Sequence, residues 1–194
     1  LTGHVQTFPT CSVEFYNGST WSAGPNLPAN FAQGQDGVGC TRDEALLICS
    51  NRSYTFDGTS FTEVDRLHVN TTLAASVGNQ NDAIRGGCSQ AFNLSETWDG
   101  TNWTEVAETP TAGGNNVIIG NASAALSVGG VPTPTNADVQ SWNGSTWTEI
   151  ANLNSGRYGG AGTGNTTDAI FFCGSPEPAG VTKNESWDGS SWTE

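Results

Sequence analysis

Apolar residues do not recur along this chain at the 3.6-residue period of an amphipathic helix. They come as short, strand-sized runs between polar turns, the longest being Ala45 to Cys49. A polar turn precedes each run: Arg42-Asp43-Glu44 before Ala45–Cys49, Asn81-Asp82 before Ala83-Ile84, and Thr167-Asp168 before Ala169–Cys173. Ser123 before Ala124–Val128 follows the pattern more loosely. Two runs end in a double glycine, Gly86-Gly87 and Gly129-Gly130, and a single Gly174 remains in another. Upstream lie the Gly-rich stretches Gly34–Gly39, Gly113-Gly114 and Gly159–Gly164, expected to be innermost strands where small residues let backbones approach.

A second pattern repeats five times: FYNGSTW at Phe15–Trp21, TFDGTSF at Thr55–Phe61, TWDGTNW at Thr97–Trp103, SWNGSTW at Ser141–Trp147 and SWDGSSW at Ser186–Trp192. The turn residues Asn17, Asp57, Asp99, Asn143 and Asp188 are 40, 42, 44 and 45 residues apart. Asn-Gly and Asp-Gly supply the positive φ of a two-residue hairpin turn. That turn would pair Trp142 with Ser145 and Gln140 with Trp147, leaving the two Trp as diagonal neighbours on one face. The same counting puts Tyr16 with Trp21, Phe56 with Phe61, Trp98 with Trp103 and Trp187 with Trp192. A three-residue loop would shift the pairing by one.

Each unit of about 43 residues therefore reads as four short strands, the content of one propeller blade. Complete units run 22–61, 62–103, 104–147 and 148–192, and residues 1–21 supply a partial blade of two strands. The expectation is one all-β domain over 1–194, a β-propeller of four-stranded blades that is either five-bladed with one thin blade or a piece of a larger ring. A head-to-tail assembly completing blades between subunits is a third arrangement. The aromatics are expected to be buried where neighbouring blades touch.

Composition narrows the partners. Lys+Arg 6 against Asp+Glu 19 give a net charge of −13, which argues against a basic face for nucleic acid or an anionic membrane. No apolar run approaches the roughly 20 residues that span a bilayer. Seven Trp and eight Phe speak against disorder. Nothing resembles a signal peptide. A chain starting at Leu1 without Met is expected to have lost a processed leader or to be part of a longer polypeptide.

The small-residue strand, the apolar run ending in Gly-Gly and the late aromatic pair flanking a turn resemble the kelch repeat. The likeness covers nearly the whole chain, although only two of the four full units keep Gly-Gly and the aromatics are spaced more tightly. The W-[N/D]-G-[S/T]-x-W-T-E form is similar to degenerate kelch-like repeats of phage and bacterial surface proteins. The Asp box of sialidases does not match, because Asp and Gly are adjacent here. The Tyr, Cys and His copper ligands of kelch-like oxidases have no counterpart among three Tyr and two His.

Catalytic signatures are sparse. His4 and His68 form no zinc spacing, and there is no G-x-S-x-G elbow. Glu63, Glu105 and Glu149, like Asp57, Asp99 and Asp188, recur at repeat positions, which points to structural duty. No catalytic residue, cofactor site or metal site is assigned. Acidic loops could hold Ca²⁺ through carboxylate and carbonyl oxygens, but no D-x-[D/N]-x-[D/N]-G loop is present. Arg85, in place of an apolar residue before Gly86-Gly87, is the one deviation from its siblings that an enzyme reading could use.

Five cysteines include no C-x-x-C pair. Cys40 with Cys49, on consecutive strands, and Cys11 with Cys173, tying the ends, are the candidate disulfides; buried free thiols are the alternative. Nine of eighteen Asn head N-x-[S/T]: Asn17, Asn51, Asn70, Asn93, Asn102, Asn121, Asn143, Asn165 and Asn184. Composition alone predicts roughly four, so N-glycosylation in a secretory host is a candidate modification.

The leading functional expectation is a non-enzymatic extracellular, cell-surface or virion-surface protein. Its role would be adhesion or assembly as a fibre, appendage or coat, with other copies of itself, neighbouring surface proteins or glycans as partners. Phe31, Phe92 and Tyr158 offer loop aromatics suited to sugars. One alternative is a propeller glycoside hydrolase or lyase with a carboxylate pair. Another is a kelch-type scaffold for a partner protein.

Overall fold

A computed structural model describes residues 12–28, 35–41, 43–69, 74–87, 93–111, 113–131, 136–175 and 182–194. Every regular element among them is a β-strand. A two-stranded hairpin, β1 (Glu14–Tyr16) and β2 (Trp21–Ala23), comes first. Four antiparallel meanders of four strands follow. The first contains β3 (Gln35–Thr41), β4 (Glu44–Cys49), β5 (Arg52–Phe56) and β6 (Phe61–Glu63), and the second β7 (Ala75–Asn79), β8 (Asp82–Gly86), β9 (Ser95–Trp98) and β10 (Trp103–Glu105). The third contains β11 (Val117–Asn121), β12 (Ala124–Val128), β13 (Val139–Trp142) and β14 (Trp147–Glu149), and the fourth β15 (Ala161–Gly164), β16 (Ala169–Phe172), β17 (Asn184–Trp187) and β18 (Trp192–Thr193).

The first strands of successive sheets touch in series, β3 to β7, β7 to β11 and β11 to β15. Successive sheets thus stack along their first strands. Three hydrophobic clusters fill the spaces between them. Val38, Leu46 and Ile48 of the first sheet meet Trp98 and Trp103 of the second. Ile84 of the second meets Trp142 and Trp147 of the third, and Leu126 and Val128 of the third meet Phe171, Trp187 and Trp192 of the fourth.

One transverse row explains why these residues build this shape. Cross-strand pairing aligns Gly78, Ala83, Trp98 and Trp103 across the second sheet. Gly120, Ala125, Trp142 and Trp147 form the same row in the third, and Gly164, Ala169, Trp187 and Trp192 in the fourth. Side chains are small on the first two strands and large on the last two, so each of these sheets is thin along its first strand and thick along its last. A Cβ on Gly78 would collide with the Asp82 carbonyl and Ala83, and its φ of +137° also favours glycine. At the thick end, burying an indole of about 200 Å² at about 25 cal/mol/Å² contributes up to about 5 kcal/mol.

The hairpin register differs from both expected forms. Trp142 lies directly opposite Trp147, and Asn143 to Thr146 form a four-residue loop closed by the Asn143 N–H donating to the Thr146 carbonyl. The cause is the side-chain cap: Asn143 Oδ1 accepts the N–H groups of Ser145 and Thr146 at 3.0 and 2.9 Å. Asp57, Asp99 and Asp188 cap their loops the same way. Only Gly144 takes a positive φ there, +92°. The aromatics still share one face, with ring centroids 5.3 Å apart for Trp142 and Trp147.

Four further expectations need correction. The first strand of the third sheet is Val117–Asn121, whereas Gly114 makes an isolated bridge to Val131 in the lead-in. Cys40 cannot pair with Cys49, because β3 sets Gln35 opposite Cys49, which leaves Cys40 five residues, roughly 16 Å, along the strand. Cys49 is a buried free thiol and Cys173 an exposed one, so Cys173 is not bridged to Cys11, which lies outside the described residues. Finally, Tyr16 and Trp21 are not buried: they are 51% and 66% exposed.

Candidate functional site: the repeated sheet-to-sheet interface

The polar groups that precede and accompany the hairpin aromatics converge on the joints between sheets. The first aromatic of each of the last three hairpins ties its own sheet: the indole N–H groups of Trp98, Trp142 and Trp187 donate to the carbonyls of Gln80, Ala122 and Thr166, at 2.7, 2.9 and 2.9 Å. The second aromatic reaches backward. Trp103 Nε1 donates to Ser53 Oγ at 2.9 Å and Trp147 Nε1 to Ser95 Oγ at 3.0 Å, each in the preceding sheet. Ser53 in turn donates to the Asp65 carbonyl. The equivalent position facing Trp192 is Val139, and Trp192 Nε1 has no acceptor.

A second polar link occupies the residue two before the first aromatic: Glu96, Gln140 and Glu185. Glu96, 2% exposed, accepts the His68 backbone N–H at 2.8 Å and faces its Nδ1 at 2.9 Å. Gln140 donates to the Thr111 hydroxyl. Glu185, fully buried, accepts the Asn154 backbone N–H at 2.7 Å and its amide at 3.0 Å. In each case the third strand of one sheet holds the loop leaving the sheet before it.

Arg157 completes the last joint. Fully buried, it bonds Glu185 Oε1 at 2.9 Å, donates to the Lys183 carbonyl at 2.9 Å and lies 5.0 Å from the Phe171 ring centroid. A buried charge needs this kind of partnering to be tolerated. The Arg157 carbonyl accepts the Gly130 N–H at 3.1 Å, and a Cβ on Gly129 (φ +65°) would collide with that carbonyl. The double glycine therefore admits the lead-in of the following sheet. The repetition of Glu96 and Glu185 ahead of an aromatic was readable as a signal; Arg157, which occurs once, was not.

Arg85 is 4% exposed and bridges sheets, its Nη1 donating to the Ser50 carbonyl at 3.3 Å. Burial raises the neighbouring Asp36 carboxyl, an effect opposed by hydrogen bonds from Ser76 and Gly37 and by the charge of Arg85. A polar niche between the second and third sheets is lined by Thr109, Thr111, Asn116, Ser127, Asn136 and Gln140, whose groups are hydroxyls and amides. Among the described residues no three His, Cys, Asp or Glu side chains are grouped to hold a metal ion. No described helix is long and apolar enough to cross a membrane.

The acceptor asparagines divide between the two ends of the stack, because in a meander alternate turns lie on opposite ends. Asn102 and Asn143 lie in third-to-fourth-strand turns and Asn121 and Asn165 at first-to-second-strand turns, all at one end, and Asn17 lies in the β1–β2 turn that repeats the Asn143 sequence. Asn51, Asn93 and Asn184 lie at the other; Asn70 is outside the described residues, as are Phe31 and Phe92. The two outermost faces of the stack differ from the joints inside it. Tyr16 and Trp21, equivalents of the buried indole pairs, are exposed, and so is Ile170 (39%), whose equivalents Leu46, Ile84 and Leu126 are wholly buried. We find no protein-family model that matches the chain, and no curated protein that does.

Proposed function

We propose that the chain is a kelch-like propeller scaffold without catalytic activity, displayed on an outer surface and acting in adhesion or assembly as part of a coat, appendage or fibre. The observation that carries this reading is the use of its recurrent polar groups. The turn aspartates cap loops, Glu96, Gln140 and Glu185 hold neighbouring sheets, and Arg85, the deviant residue, bridges to Ser50. The buried carboxylates Glu96 and Glu185 are thus engaged in the joints, and the turn aspartates in their own loops. The wedge-like rows and the serial contact of first strands support a propeller arrangement. Low Lys content, a charge of −13 and nine acceptor tripeptides suit an exposed, sugar-coated shell.

The test is retention of labelled chain on a panel of immobilised neutral and acidic polysaccharides, with released reducing ends and unsaturated products measured in the same wells. Retention without product is the expected outcome. Product formation that survives repurification would replace this reading with a carbohydrate-active enzyme. Intact mass from a secretory host, with and without N-glycosidase, reports whether the acceptor tripeptides are used.

A further inference from the structure

The two exposed faces carry the equivalents of the two halves of each internal joint. Inside the chain an aromatic pair on the leading face of one sheet is buried against the apolar second strand of the sheet before it: Trp98 and Trp103 against Leu46, Trp142 and Trp147 against Ile84, Trp187 and Trp192 against Leu126. Those six indoles are at most 6% exposed. The β1–β2 hairpin presents Tyr16 and Trp21 in the same register, directly opposite each other with ring centroids 5.1 Å apart, and they remain in solvent. Its other face meets the first sheet through Phe15, whose ring centroid is 5.8 Å from that of Phe56. At the far end of the stack, Ile170 occupies the place of Leu46, Ile84 and Leu126 and is exposed.

We propose that the β1–β2 hairpin of a second copy of this chain docks on the β16–β17 face, burying Tyr16 and Trp21 over Ile170 in a head-to-tail contact. The proposal deepens the assembly reading and rests on the stack of blade-like sheets, whatever the location of the protein. One detail favours this occupant. Asn184 stands where Ser53 and Ser95 accept an indole N–H, so its Oδ1 is placed to accept a hydrogen bond from Trp21 Nε1. A heterologous contact of this kind closes into a ring or propagates as a filament.

The experiment is sedimentation of the unglycosylated 194-residue chain from about 1 to about 100 µM, with iodide quenching of tryptophan at each concentration. The chain is expected to grow from its 20.2 kDa monomer to larger species, and its one quenchable indole, Trp21, to become shielded as it does. Trp21→Ser and Ile170→Asp, both at exposed positions, are each expected to weaken association more than about tenfold. Mixed together, the two variants retain one good face each and should form a dimer and nothing larger. A monomer at every concentration overturns the proposal, as does assembly indifferent to both substitutions, or a mixture that stays monomeric. So does a monomer whose Trp21 is already shielded, which means the hairpin closes on its own chain. Iodide access to most of the seven indoles would instead overturn the stack itself.

Discussion

Trp192 and Val139 lie in one buried cluster, and the indole N–H of Trp192 finds no acceptor there. In the two preceding joints Ser53 and Ser95 stand in the place of Val139 and accept the corresponding indole proton. An unpartnered buried N–H costs about 1 to about 3 kcal/mol.

Val139→Thr should therefore stabilise the chain by about 0.5 to about 1.5 kcal/mol, since threonine keeps the branched shape while supplying the oxygen. Ser95→Val should cost about 1 to about 3 kcal/mol by orphaning Trp147 Nε1. Urea midpoints of the two variants check both signs; a Val139→Thr chain no more stable than the parent would show that the indole is satisfied in another way.

Arg157→Met should destabilise by about 3 to about 5 kcal/mol, because it leaves Glu185 charged and buried with one partner fewer. Lysine should not rescue it: two guanidinium nitrogens serve two acceptors while the plane lies by Phe171, and an ammonium reproduces neither. The double variant Arg157→Met with Glu185→Leu should recover part of the loss, measured by the same denaturation.

Acid should loosen the hairpins. Hydrogen bonds from the Thr59 hydroxyl and the Ser60 and Thr59 N–H groups hold the Asp57 carboxyl down at about 2, and those from the Ser190 hydroxyl and the Ser191 and Ser190 N–H groups hold Asp188 at about 2, both below the ordinary 3.8. The Asn102 and Thr101 N–H groups lower Asp99 as well. These depressed values add stability above 3.8 that is lost as pH falls through about 2. Thermal melts should therefore decline from about pH 4 to about pH 2. Asp57→Asn and Asp188→Asn, which keep the cap as Asn143 does, should flatten that limb.

Thiol reactivity should separate two cysteines. Burial pushes the Cys49 thiol up to about 11, whereas Cys173 is exposed. Iodoacetamide at neutral pH should label Cys173 in the native chain and reach Cys49 only after denaturant is added, as read by peptide mass spectrometry. Native labelling of Cys49 would mean that β4 is not held in the core.

Much of the fold was legible because it rests on local chemistry repeated five times. The Asp/Asn-Gly turns marked the hairpins, and the apolar runs marked β4, β8, β12 and β16 at nearly their observed bounds. The shared face of the aromatics was also legible. The loop length was not, since the choice between a two-residue turn and a four-residue loop depends on where the Asn143 carboxamide oxygen points. The disulfide pairing failed for a related reason: adjacency of strands says nothing about position along them, and register separates Cys40 from Cys49.

By itself the sequence determined the all-β character, the number of hairpins and the repeated four-strand units, because turn propensity and alternating burial act over a few residues. Only the tertiary structure decided which equivalents are equal in fact. Trp21 and Trp192 occupy the same place in the repeat, yet one is 66% exposed and the other 5%. That difference depends on whether another sheet lies against the aromatic face, and contact between sheets some 40 residues apart is not written in any one repeat.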